Sequence, residues 1–184
     1  MVLFINACVR KESRTKLLVD YLISKINKPY KELRLNEINF SKVDEDFIKK
    51  RDNLLIKGEF DNPVFDFARE FAKASEIVIA APFWDLSFPA ALKQYFEQIN
   101  VVGITFRYTI EGIPEGLCKA EKLTYITTAG GNFFPEEYGF GYIKALAQNF
   151  YGIKNVNLIK ATGLDIDGAN EKEIIKNARE KYNI

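Results

Sequence analysis

The stretch Glu76 to Phe96, EIVIAAPFWDLSFPAALKQYF, constrains the fold more than any other part of the chain. An apolar run passes directly into Pro82-Phe83-Trp84-Asp85-Leu86, and a helix opens at Pro89. A run this apolar suits a strand covered on both faces, as in a parallel sheet flanked by helices. In such a sheet, the loop leaving the carboxyl end of a strand is where ligands bind. This loop holds the chain's only tryptophan beside a phenylalanine and a carboxylate. Two large aromatics on an exposed loop require cover. A flat conjugated ligand supplies it, and so does the chain's own core if Phe83 and Trp84 fold back.

The same alternation runs through the whole chain. Val2 to Ala7 reads as a buried strand, and Ser13 to Ile26 as a helix with Leu17, Leu18, Tyr21, Leu22 and Ile26 inward. Tyr30 to Leu35 alternates polar and apolar residues, and Asp44 to Lys57 is a charged helix. Pro63 to Ala74 lines up Val64, Ala68, Phe71 and Ala72, and the next strand is Ile77 to Ala81. Helix Ala90 to Ile99 turns Leu92, Tyr95, Phe96 and Ile99 inward. Strand Leu123 to Thr128 precedes helix Tyr138 to Phe150, which places Ile143, Leu146, Ala147 and Phe150 on one face. Strand Val156 to Thr162 and helix Glu171 to Tyr182 close the chain.

Strands alternating with helices predict an α/β fold with a five-stranded parallel sheet. The second and fifth strands carry Lys31, Glu32, Arg34, Asn157 and Lys160 and belong at the edges. The more apolar first, third and fourth belong in the centre. The order 2-1-3-4-5 satisfies both conditions and makes a flavodoxin-like three-layer sandwich. Its ligand crevice faces the loops after Ala7, Ala81 and Thr128.

Bulk properties narrow the function classes. With 184 residues and 47% hydrophobic content, residues 1–184 fit one globular domain with a full core. A net charge of +1 points to neither nucleic acid nor an anionic membrane surface. No apolar run approaches the roughly 20 residues that span a bilayer. The N-terminal MVLFINACVRKES reads as a strand entering a polar loop rather than a signal peptide. Cys8 and Cys118 form no CxxC, which suits the reducing cytoplasm. The chain contains 0 histidines, which removes Ser-His-Asp and Cys-His catalysis and argues against a zinc site. If the chain is an enzyme, its chemistry is expected to belong to a bound cofactor.

Three loops carry that chemistry. The first, Arg10-Lys11-Glu12-Ser13-Arg14-Thr15, leads into a helix whose unpaired amides and dipole favour an anion. Ser13 and Thr15 add hydroxyls, and Arg10 and Arg14 neutralise a phosphate; the alternative is an ordinary serine N-cap with solvated charges. Neither GxxxxGK nor GxGxxG is present, which argues against a Walker or Rossmann site. The third loop, Thr128-Ala129-Gly130-Gly131, lets the backbone approach a ligand closely, or simply turns. A phosphate cradle, an aromatic platform and a glycine loop together suit FMN, which has an anionic tail and a flat ring.

With these motifs the chain resembles the FMN-dependent NADH-azoreductase and NAD(P)H:quinone oxidoreductase family of flavodoxin-like proteins. The resemblance spans essentially the whole chain. It rests on Ser13-Arg14-Thr15, on Pro82 to Leu86 with Pro89 and Leu92 to Phe96, on Gly103-Ile104-Thr105-Phe106-Arg107-Tyr108, on Gly116-Leu117 and on Thr128 to Gly131. It implies that Ser13 to Thr15 hold the FMN phosphate, that Phe83, Trp84, Asp85 and Leu86 flank the ring, and that Thr128, Ala129, Gly130 and Gly131 contact its pyrimidine side. It also implies NADH or NADPH as co-substrate, quinones or azo compounds as acceptors, and ping-pong hydride transfer. The chain departs from the family at Asp85, where azoreductases often carry Asn, and at Arg10, where they carry a serine.

Segment Asn100 to Ala120 is far longer than the usual connection of roughly 2–6 residues and is rich in apolar side chains. It is either a hairpin packed on its own subunit or, as the resemblance implies, part of a homodimer in which Phe106 covers the partner's flavin. A flavodoxin-like electron carrier is the rival reading. Such carriers are strongly acidic for docking, and the +1 charge and the long insertion oppose it. A non-catalytic FMN-binding protein is a further alternative.

Overall fold

The computed structural model describes residues 1–184. Five parallel strands form the central sheet: β1 (Val2–Asn6), β2 (Tyr30–Arg34), β3 (Glu76–Ala80), β6 (Lys122–Thr128) and β7 (Asn155–Ala161). Two further strands, β4 (Phe106–Tyr108) and β5 (Pro114–Gly116), pair antiparallel as a separate hairpin. The sheet order is β2-β1-β3-β6-β7, the order expected from the polarity of the strands. Its cause is visible in burial: every residue of β1 is buried, whereas most residues of β2 and β7 are partly or fully exposed. The register sets Ile5 of β1 between Leu33 and Ile79, and Ala80 beside Ile126, so the carboxyl ends of the central strands lie together.

Helices cover both faces. One face packs under α1 (Arg14–Lys25) and α6 (Glu171–Tyr182), around Val2, Phe4, Val78 and Ile126. The other packs under α3 (Asp66–Lys73), α4 (Ala90–Ile99) and α5 (Tyr142–Asn149), around Leu3, Ile5, Ile77 and Tyr125. The remaining helix, α2 (Glu45–Ile56), is capped by Asp44 and buries no residue fully. No helix is long and apolar enough to cross a membrane.

Some details differ from the sequence expectations. On α1 Leu18, Val19 and Ile23 are buried and Tyr21, Leu22 and Ile26 pack half-buried beside them, while Leu17 is 44% exposed. Apolar residues occupy nearly every direction around this helix, so spacing alone left its orientation open. Pro63–Phe65 forms a separate 3₁₀ turn before α3, and it drives Phe65 fully into the core. A π-helical turn, Glu137–Gly141, precedes α5 where one continuous helix was expected.

The Asn100 to Ala120 segment splits into a buried root and an exposed tip. At the root, Thr105 Oγ1 donates to the Ile99 carbonyl at 2.7 Å and accepts from the Val101 amide at 3.2 Å. Phe106, expected to cover a partner's ring, is buried in its own subunit with its centroid 4.7 Å from that of Phe150. The nearby Phe150 ring supplies cover within the chain, which is why Phe106 turns inward. Tyr108, Ile110 and Ile113 at the tip remain exposed.

Candidate functional site

The three loops singled out in the sequence meet at one cleft above the carboxyl ends of the strands. Its wall is made by Arg10, Ser13, Arg14 and Thr15 from the first loop, Phe83 and Trp84 from the second, and Thr128 and Gly130 from the third. Val9, Glu12, Pro82 and Asp165 complete it. This is the switch point, where β1 and β3 run side by side and their connections leave in opposite directions.

The first loop becomes an anion cradle because its backbone has nowhere else to donate. None of the backbone N–H groups from Arg10 to Thr15 finds an acceptor within the chain, and they sit at the N-terminus of α1. Unpaired amides at a helix start, with the helix dipole behind them, select a negatively charged group. Ser13 caps the helix by accepting from the Lys16 amide at 3.2 Å, and its hydroxyl proton remains a donor. Thr15 is different. It is buried, and its hydroxyl lies 2.6 Å from that of Thr128.

The second loop is a tight reversal. Trp84 and Ser87 exchange backbone hydrogen bonds, at 3.2 and 2.7 Å, around the central pair Asp85-Leu86. Both central residues have positive φ, 50° and 66°, the requirement of a two-residue turn usually met by Asn-Gly. Leucine in the left-handed region is strained, and such strain gathers at ligand sites. The turn leaves the Asp85 and Leu86 amides without acceptors and Asp85 without an ion pair. Phe83 packs against Phe134 with centroids 4.5 Å apart, whereas Trp84 is 37% exposed at the mouth. Of the two aromatics, only Phe83 is paired with another ring of its own chain. Asp85 and Leu86 stand at the turn tip, just beyond the residues that wall the cleft.

In the third loop, Ala129 is buried and its backbone is committed to β7 and the loop beyond, donating to Ala161 and accepting from Leu164. Gly130 and Gly131 keep free amides, while their carbonyls accept from Asp165 and Gly163. A Cβ at Gly130 would meet the Asp165 carboxylate, which would have to shift to admit it.

Asp165 itself was not foreseen. It receives Arg14 in a two-pronged ion pair, Nη1 to Oδ1 at 2.5 Å and Nη2 to Oδ2 at 3.2 Å. The hydrogen bonds from Arg14 hold the Asp165 carboxyl below its usual range, and Asp165 in turn raises the Arg14 pKa. Beneath the loop, burial pushes the Cys8 thiol up to about 11, so it stays protonated at neutral pH.

The flavodoxin-like fold model matches residues 1–183. An FMN-dependent NADH:quinone oxidoreductase of Clostridium perfringens is 36% identical over 189 residues, covering 98% of this chain and 94% of that protein. One from Clostridium acetobutylicum is 38% identical over 192 residues, with the same coverage of both. The chain belongs to the flavodoxin-like family of FMN-dependent NADH:quinone oxidoreductases. Among solved structures, an azoreductase of Bacillus anthracis superposes with a TM-score of 0.83 at 25% identity, covering 98% of this chain and 95% of that one.

Within this quinone oxidoreductase family, the cleft suits the cofactor that the relatives' names carry. The donor set for a phosphate is present in the free amides of Arg10 to Thr15, the Ser13 hydroxyl and the Arg10 side chain. A flat ring finds Phe83 and Trp84 on one side and the free amides of Gly130 and Gly131 on the other loop.

Proposed function

We propose that this chain is an FMN-dependent oxidoreductase that uses NADH to reduce quinones, with azo compounds as further acceptors and residues 1–184 as one FMN-binding unit. The observation that carries the reading is the row of unpaired amides from Arg10 to Thr15, which opens onto the cleft walled by Phe83 and Trp84. The relatives' names support FMN, NADH and quinone, and the structural likeness to an azoreductase supports the azo acceptors.

When bound, FMN supplies a ring that takes an electron pair from one substrate and passes it to another. The chain's residues do the rest. Ser13, Arg10, Arg14 and the loop amides would hold the phosphate. Phe83 and Trp84 would wall the ring, the Asp85 and Leu86 amides would bond its N5–O4 edge, and the Gly130 and Gly131 amides would steady charge at N1 and O2. With 0 histidines in the chain, positioning and ring electronics carry the rate rather than a side-chain acid or base. The two substrates would use one open ring face in turn, a ping-pong order.

The exposed Tyr108, Ile110 and Ile113 support a homodimer formed through the hairpin tip, since a lone apolar tip beside the ligand edge invites association. The free thiols of Cys8 and Cys118 support a cytoplasmic setting.

Mass spectrometry of the ligand released by heat tests the cofactor. FMN is the expected result; FAD, or no flavin after incubation with FMN, overturns the reading. Steady-state NADH oxidation with a quinone acceptor tests the activity. An electron carrier would need a separate reductase, and a ping-pong enzyme gives parallel double-reciprocal lines. Size-exclusion chromatography with light scattering tests the dimer, which Ile110→Asp should weaken.

A further inference from the structure

Arg14 occupies the first position of α1, where a positive charge opposes the helix dipole, and the first turn of that helix carries no acidic residue. Its compensation comes from the far end of the chain. Asp165, on the loop between β7 and α6, takes the guanidinium in the two-pronged pair, and the neighbouring Leu164 carbonyl accepts from the same Nη1 at 3.4 Å. Glu171 at the start of α6 stands 3.7 Å from Nη1. A guanidinium has five N–H groups. Asp165 and Leu164 engage three, on Nη1 and Nη2. The Nε proton and one Nη2 proton remain.

The same aspartate fastens the glycine loop. Its amide donates to the Gly130 carbonyl at 2.9 Å, and its carboxylate fills the space a Gly130 side chain would need. On either side, Leu164 donates to Ala129 at 3.3 Å and Gly163 to Gly131 at 3.0 Å. Asp165 is thus bonded to the loop expected at the phosphate end of the cleft and to the loop expected at the ring end.

We infer that Asp165 is a positioning residue for flavin binding: its carboxylate orients Arg14 so that the two remaining guanidinium donors meet the FMN phosphate. The inference rests on the FMN reading of the cleft. A carboxylate beside an anion site would ordinarily repel the anion. Here Arg14 neutralises it, and a planar fork pinned on one side loses less freedom when a phosphate docks on the other. Arg10, the other cation close to Asp165, lines the same cleft and adds to that neutralisation.

The test compares FMN with riboflavin, which carries the same ring without the phosphate, by quenching of flavin fluorescence on the apoprotein. Wild-type binding of FMN is measured first. Its failure would overturn the FMN reading, and this inference with it. Asp165→Asn is then expected to weaken FMN by roughly tenfold and to leave riboflavin almost unchanged. In an Arg14→Gln background the same change should have no further effect on FMN, because Asp165 acts through Arg14. Equal losses for FMN and riboflavin would reduce Asp165 to a structural residue, and tighter or unchanged FMN binding would show that its charge repels the phosphate or is idle. Either result overturns the inference.

Discussion

Thr15 Oγ1 and Thr128 Oγ1 lie 2.6 Å apart, a buried hydrogen bond between residues 113 positions apart in sequence. It joins the first turn of α1 to the last residue of β6 and so locks the first and third loops together at their bases. Thr15→Val keeps the shape but leaves the Thr128 hydroxyl buried and unpaired. We expect a loss of about 1–3 kcal/mol of stability in urea denaturation. The double variant Thr15→Val/Thr128→Val should recover part of that loss, since no orphan hydroxyl remains. A double variant less stable than the sum of the singles would contradict this account.

Leu86 holds a left-handed conformation, φ 66°, with less than half of its surface exposed. A β-branched residue fits that backbone region worse than leucine does, and glycine fits it without strain. Leu86→Gly should melt at or above the wild-type temperature. Leu86→Val should be less stable than Leu86→Gly by about 1–3 kcal/mol. Similar melting of the two variants would mean that the turn relaxes.

Gly116 of β5 lies against the backbone of Tyr151 and Gly152, and an added Cβ would collide with main-chain atoms that no rotamer change can move. Gly116→Ala is expected to cost about 3 kcal/mol in chemical denaturation and to free the hairpin root from the segment that follows α5. A Gly116→Ala protein of near wild-type stability would show that this hairpin is not pinned.

Burial raises both thiols from 9.0, Cys8 to about 11 and Cys118 to about 12. A raised folded pKa stabilises fully below the unfolded value and loses that contribution as pH climbs toward the folded one. Stability should therefore fall between pH 9 and about 11 through Cys8, by on the order of 2 kcal/mol, and the Cys118 contribution continues to about 12. The stability difference between wild type and Cys8→Ala, measured across this range by urea titration, should slope downward. A flat difference would show that the thiol ionises as freely in the fold as out of it.

Asp85 is exposed, has no ion pair and sits at the tip of the turn beside Trp84. A carboxylate near a ring that gains negative charge opposes reduction, so Asp85→Asn should raise the FMN midpoint potential. Its exposure to water keeps the shift small. Redox titration of the two holoproteins checks the sign, and an unchanged or lower potential in the variant would place the carboxylate away from the ring.

The sequence alone determined the layered architecture and the rim of the site. Apolar runs such as Val2–Asn6 mark strands covered on both faces, and the charges on Tyr30–Arg34 and Asn155–Ala161 mark edges, which together imply the strand order. Serine before a helix, aromatics after Ala81 and paired glycines after Thr128 are local signals, legible because capping and turn chemistry act within a few residues. The tertiary structure decided which of those residues meet. Leu17 turned outward because the packing of α1 selects one of several apolar directions, and Phe106 turned inward because Phe150 was there to receive it. Asp165 left no periodic signal, being a polar residue on a loop. Its partner, Arg14, lies 151 positions away and comes within reach only when the parallel sheet brings its strand ends to one edge.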